Sequence, residues 1–180
     1  MTTTYYTATS LDGYIADPDN SLDWLMAVPD ADGATGDVDE FLRDIGAICM
    51  GATTYEWMVA NHPPEVWHDH YGDRPAWVFT HRQLPEIPGA NLRFVAGEVE
   101  SVHKQMLAAA GDRGVWIVGG GELAGQFADA GLLDEVILGV APVALGGGAP
   151  VFPRRILADR MRLVDVVRFG QFAKLVYHLS

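Results

Sequence analysis

The chain has 180 residues, 49% of them hydrophobic and 20% charged, with 12 basic against 24 acidic side chains and a formal net charge of −12. That length suits one domain with its own core, and the acidity argues against nucleic acid or an anionic membrane as a partner. The single cysteine, Cys49, excludes a disulfide within the chain and fits a reducing compartment. With no signal-peptide pattern in MTTTYYTATS and no apolar run of spanning length, the expected location is cytoplasmic.

Thr3 to Thr9, rich in Thr and Tyr, predicts a strand. Leu11-Asp12-Gly13 is a turn signal, Tyr14 to Ala16 a short apolar piece, Asp17 to Asn20 a second turn and Leu22 to Val28 a short helix. Asp37 to Ile45 predicts a helix in which Asp37 caps and Glu40 takes the capping-box position. Gly46 to Gly51 reads as a buried strand, followed by a helix over TTYEWMVAN with Thr53 as its cap and Glu56 three residues on. Residues 61–74 read as a polar loop, and Ala76 to Thr80 and Leu92 to Ala96 as strands. Glu98 to Ala110 carries an apolar stripe of Val99, Val102, Met106, Leu107 and Ala110 at helical spacing. Val115 to Val118 is a strand, Glu122 to Ala130 a helix and Glu135 to Ala141 a strand. A Gly/Pro loop, PVALGGGAPVFP, then leads to a hairpin of Arg162 to Phe169 and Gln171 to Leu179 around Gly170.

Strands alternating with helices, closed by a hairpin, predict a single α/β domain over residues 1–180. Its central sheet is mostly parallel, with an antiparallel C-terminal edge. In such sheets ligands gather at the carboxyl ends of the strands. Three turns fall there: Gly51-Ala52-Thr53-Thr54, Thr80-His81-Arg82 and Gly119-Gly120-Gly121.

The spacing Gly119-x-Gly121-x-x-Ala124 fits the dinucleotide fingerprint. It comes late in the chain, however, and the next strand, EVILGVAP, ends without the acid that would hold a ribose. A tight turn and a nucleotide loop of another kind remain, and the helix N-terminus that follows the glycines favours a phosphate. Thr53 or Thr54 could donate to a phosphate or simply cap a helix. Arg82 suits a ribose phosphate, although an Arg after a strand is by itself more often a solvated loop residue. His68-x-His70 has no second ligand cluster near it in sequence, so no metal site is expected.

Taken in order, TATSLDGYIA, CMGATTYE, VFTHR, IVGGGELAGQF and DEVILGVAPVALGGGAPVF resemble the dihydrofolate-reductase-like superfamily. Within it they resemble most closely the C-terminal reductase domain of the bifunctional riboflavin-biosynthesis enzyme and its stand-alone relatives. The resemblance covers nearly the whole chain. It implies a three-layer fold, NADPH as cofactor (NADH not excluded), a small-molecule substrate and a homodimer. The reaction it implies is hydride transfer to a small heterocyclic, imine or carbonyl compound, as in 5-amino-6-(5-phosphoribosylamino)uracil reduction. Dihydrofolate reduction and a non-catalytic nucleotide-binding role are the alternatives.

By the same resemblance, backbone groups of Ala8 and Ile15 would hold the nicotinamide carboxamide. Gly51, Thr53 and Thr54 would receive the pyrophosphate, and Thr80, His81 and Arg82 would face the adenosine ribose and its 2′-phosphate. Val118, Gly119, Gly120, Gly121, Glu122 and Leu123 would line pyrophosphate and nicotinamide, with Gly119–Gly120 a candidate cis peptide. Ala52 stands where the family usually has Arg. Asp12 and Asp37 are the candidate proton sources, and Trp24, Tyr55 and Gly148 the candidate substrate contacts. Arg154 and Arg155 are the candidate cations for a ribose phosphate.

Overall fold

In the computed structural model, residues 1–29 and 32–180 are described, without the side chains of 32–37. Eight strands form one mixed sheet. Five neighbouring pairings are parallel, among β1 (Thr3–Thr9), β3 (Ile45–Gly51), β4 (Ala76–Phe79), β5 (Leu92–Val95), β6 (Gly114–Gly119) and β7 (Glu135–Val140). The C-terminal strands β9 (Met161–Phe169) and β10 (Phe172–Leu179) close the sheet as an antiparallel hairpin against β7. The order is β5-β4-β3-β6-β1-β7-β10-β9, the expected dihydrofolate-reductase-like three-layer arrangement.

Strand periodicity places two cores on opposite faces of the sheet. Cys49, Trp77 and Ile117 point to one side, under α5 (Val99–Ala110) and α6 (Gly121–Asp129). Their neighbours Ile48, Met50, Val78 and Trp116 point to the other, under α2 (Asp32–Arg43), α3 (Ala52–Asn61) and α4 (Pro64–Tyr71). Cys49 is fully buried, and burial pushes its thiol pKa up. A small third cluster joins Val28, Ala141 and Phe172, with Trp24 packed against it.

Four expectations are corrected. Residues 61–74 hold a helix, α4, begun by a proline in its first turn and held by Trp67 and Tyr71, which are buried one turn apart. Helix α2 starts at Asp32, so Asp37 lies past its first turn and does not cap it; the Asp37 side chain is outside the described residues. The short helix α1 spans only Asp23–Met26. Helix α3 starts at Ala52 with Gly51 as its extended N-cap residue, so Thr53 sits inside the first turn and is not the cap. A two-residue strand, β8 (Ala149–Pro150), pairs with β2 (Tyr14–Ala16) and stitches the Gly/Pro loop to the first turn.

Candidate functional site

Strands β3 and β6 lie side by side, and each runs directly into a helix at its carboxyl end. α3 begins after Gly51 and α6 after Gly120, and neither helix has a side-chain cap. Their first-turn N–H groups therefore have no intrahelical acceptor and no capping oxygen, and the two positive dipole ends converge. The Gly119–Gly120 peptide is cis. Of the three glycines, the first and the third are closely packed, for different reasons. A Cβ on Gly119 would come within 2.8 Å of Thr54 Oγ1, and one on Gly121 would strike the carbonyl oxygens of Pro150 and Val151.

A cavity of about 560 Å³ opens at this junction. One wall is Val118, Gly119, Gly120, Gly121 and Glu122 from β6 and α6; another is Thr53, Thr54, Trp57 and Met58 from α3. Thr7, Ile15, Ala16, Asn20 and Leu22 come from β1 and the segment after it, and Ala149, Pro150 and Pro153 from the Gly/Pro loop. The cavity thus joins two helix starts, whose N–H groups favour an anion, to a mostly apolar body.

The Asp12 turn organises that wall without lining the cavity. Asp12 Oδ1 accepts from Ser10 Oγ at 2.6 Å and from the Leu145 N–H at 3.0 Å, and Oδ2 accepts from the Gly146 N–H at 2.6 Å. The Ser10 hydroxyl first, then these backbone donors, hold its carboxyl down at about 2. An acid so held is an anion at neutral pH. Asp12 thus acts as a latch between the first turn and the Gly/Pro loop, and its carboxylate stands outside the cavity lining.

Beside the cavity, Arg154 accounts for Glu122. Its Nη1 and Nη2 donate to the two Glu122 oxygens at 2.9 and 2.7 Å, and its Nε donates to Asp129 at 2.7 Å. The Arg154 bond lowers the Glu122 pKa. Gly125 leaves the room for this guanidinium, since a Cβ there would lie 2.6 Å from Arg154 Cζ. Arg154 is therefore occupied and not offered to a phosphate; Arg155 is exposed.

Several candidates lie elsewhere. The Tyr55 side chain is completely buried, and its hydroxyl donates to the Pro85 carbonyl at 2.6 Å; it belongs to the α3–α4 core and cannot stack on a substrate. Trp24 packs in the third cluster and not on the cavity. Leu123 is buried in the α6 core. Ala8 is paired with Gly139 within the sheet. Gly148 has φ +127 and approaches the Ala16 carbonyl, so it serves the β2–β8 contact. Thr80, His81 and Arg82 follow β4 outside the cavity; Thr80 Oγ1 accepts from the Arg82 N–H at 2.9 Å, and the guanidinium donates to Glu56 at 2.9 Å. His68 is bonded to the Pro88 carbonyl and His70 lies against Tyr71. Trp57 and Met58, which the sequence reading missed, are the large side chains of α3 that do face the cavity.

The family profile of the RibD C-terminal domain matches residues 2–175. The uncharacterized protein YwjB of Bacillus subtilis strain 168 is 31% identical over 175 residues, covering 97% of this chain and 96% of YwjB. Two solved structures share the fold. One is the Thermotoga maritima diaminohydroxyphosphoribosylaminopyrimidine deaminase/5-amino-6-(5-phosphoribosylamino)uracil reductase, with a TM-score of 0.73, 18% identity and coverage of 99% of this chain and 56% of that one. The other is the dihydrofolate reductase of Enterococcus faecalis complexed with NADP(H), with a TM-score of 0.64, 16% identity and coverage of 99% and 96%. Among the described residues no helix is long and apolar enough to cross a membrane.

Proposed function

The chain belongs to the RibD C-terminal domain family, and on that premise we propose that it is an NADPH-dependent reductase of a small heterocyclic, imine or carbonyl compound, with NADH as the alternative donor. The convergence of two uncapped helix N-termini on one cavity carries this reading. The pyrophosphate would lie across the first turns of α3 and α6, where Thr53 and Thr54 add hydroxyl donors and the glycines allow close approach. The nicotinamide would lie against Ile15 and Val118 in the apolar part of the cavity. When bound, NADPH supplies the hydride; the chain supplies orientation and a dry wall around the reacting carbon. Ala52 leaves the pyrophosphate to backbone and hydroxyl donors alone. Arg82 reaches an adenosine phosphate only by leaving Glu56.

The same reading places the protein in the cytoplasm, where buried Cys49 stays reduced, and pairs two copies through β9. That strand is one edge of the sheet and exposes Leu163, Val164 and Val166. Light scattering on the eluting protein should give twice the chain mass. Loss of NADPH absorbance with a panel of carbonyls, heterocycles and dihydrofolate tests the reaction. Turnover of dihydrofolate alone would move the protein to the dihydrofolate reductases. NADPH binding with no turnover on the panel would favour a non-catalytic nucleotide-binding role.

A further inference from the structure

The charge of the cavity says more about the second ligand than its shape does. None of the chain's 12 Lys and Arg residues lines it. Arg154, beside it, is taken up by two carboxylates, Glu122 and Asp129. Glu122 itself is the one charged lining residue among the described ones. Asp17, Asp19 and Asp23 flank Asn20 and Leu22 in sequence, so that segment brings no cation either. The positive features are the two helix N-termini, and under the nucleotide reading above, on which this inference rests, the pyrophosphate occupies them. What remains for a second ligand is mostly apolar, Leu22, Trp57 and Met58 included, with Thr7 and Asn20 as its uncharged polar side chains. A phosphate or carboxylate moved there would lose its water and gain no cation, against the field of a chain carrying −12.

We propose that the substrate half of this cavity takes an uncharged conjugated carbonyl compound and rejects its phosphorylated or otherwise anionic analogues. The reaction balances simply. With NADPH held as proposed, a hydride with its electron pair would pass from C4 of the dihydronicotinamide to the electrophilic carbon conjugated to the carbonyl, and the carbonyl oxygen would take a proton from water. The nicotinamide is oxidised and the substrate reduced by two electrons. Trp57 and Asn20, which line that half, are the side chains placed to orient the acceptor.

The test is a matched pair, 1,4-naphthoquinone and 1,4-naphthoquinone-2-sulfonate, assayed by NADPH oxidation with the uncatalysed rate subtracted. The neutral quinone should show a kcat/KM at least about tenfold above that of the sulfonate. Leu22→Lys, or Met58→Lys where the first variant does not fold, should shift that ratio toward the sulfonate by about fivefold or more. Equal use of the two quinones overturns the proposal, as does efficient reduction of 5-amino-6-(5-phosphoribosylamino)uracil. So does a protein that binds NADPH by calorimetry yet oxidises it with neither quinone, a result that leaves the nucleotide reading standing. Absence of NADPH binding overturns both.

Discussion

Thr54 Oγ1 stands 2.8 Å from the point where Gly119 would carry a Cβ, so the first turn of α3 and the end of β6 touch across the floor of the cavity. Gly119→Ala has to displace the Thr54 side chain, at a cost of about 1–2 kcal/mol, and should weaken NADPH binding as well. At Gly120 an added Cβ meets only Ile15 Cδ1, at 3.9 Å. Gly120→Ala should therefore keep the wild-type melting temperature and weaken NADPH by about tenfold, because its methyl points into the cavity. Thermal denaturation and calorimetry on the two variants separate folding from binding.

Asp12 gives a prediction with a defined pH sense. Its carboxyl is held at about 2, below the ordinary 3.8, by Ser10 and by the Leu145 and Gly146 N–H groups. A depressed pKa means the stabilisation is fully present above the unfolded value and is lost as pH falls toward the folded one. Asp12→Asn should melt below wild type at neutral pH, and the gap should close between about pH 4 and pH 2. The pH–rate profile of the wild type should show no step from Asp12 near neutrality.

Helix α3 divides two aromatic residues between core and cavity. Tyr55→Phe removes the 2.6 Å bond to the Pro85 carbonyl, for a loss of about 0.5–1.5 kcal/mol, with kcat/KM unchanged. Trp57→Ala should do the reverse, lowering kcat/KM about tenfold with a smaller effect on stability. Equilibrium denaturation and steady-state kinetics on the pair check both halves.

Much of the fold and part of the site could be read from the residues in order. The Gly/Thr turns sit where a mostly parallel sheet puts them, because a buried strand followed by a helix start is a local pattern. Facing was harder. α3 is apolar on more than one side, and Tyr55 and Trp57, two residues apart, point about 200° from each other, so the sequence offered no reason to prefer the second. α4 is hard to see in PEVWHDHY because its four charged or histidine side chains and two prolines at its start read as loop, and the one-turn spacing of Trp67 and Tyr71 is the available signal. The β2–β8 pairing and the Asp12 latch join segments more than 130 residues apart, and no local pattern announces either.

Arg154 and Gly125 should behave as a unit. Arg154→Ala releases Glu122 and Asp129, both largely exposed, so the loss is about 0.5–1 kcal/mol and shrinks with added salt. Gly125→Ala pushes the guanidinium off both acids. The double variant should lose less than the sum of the two single variants, because once Arg154 is truncated the methyl has nothing to displace. Full additivity in denaturant titrations would separate the residues.

Calorimetric titration of NADPH into the protein reaches the nucleotide reading most directly. Saturable binding at one site per chain, weakened about tenfold in Gly120→Ala at an unchanged melting temperature, is the expected result. A folded protein that gives no binding heat with NADPH or NADH up to about millimolar concentration contradicts a nucleotide role for the cavity between Thr54 and Gly119.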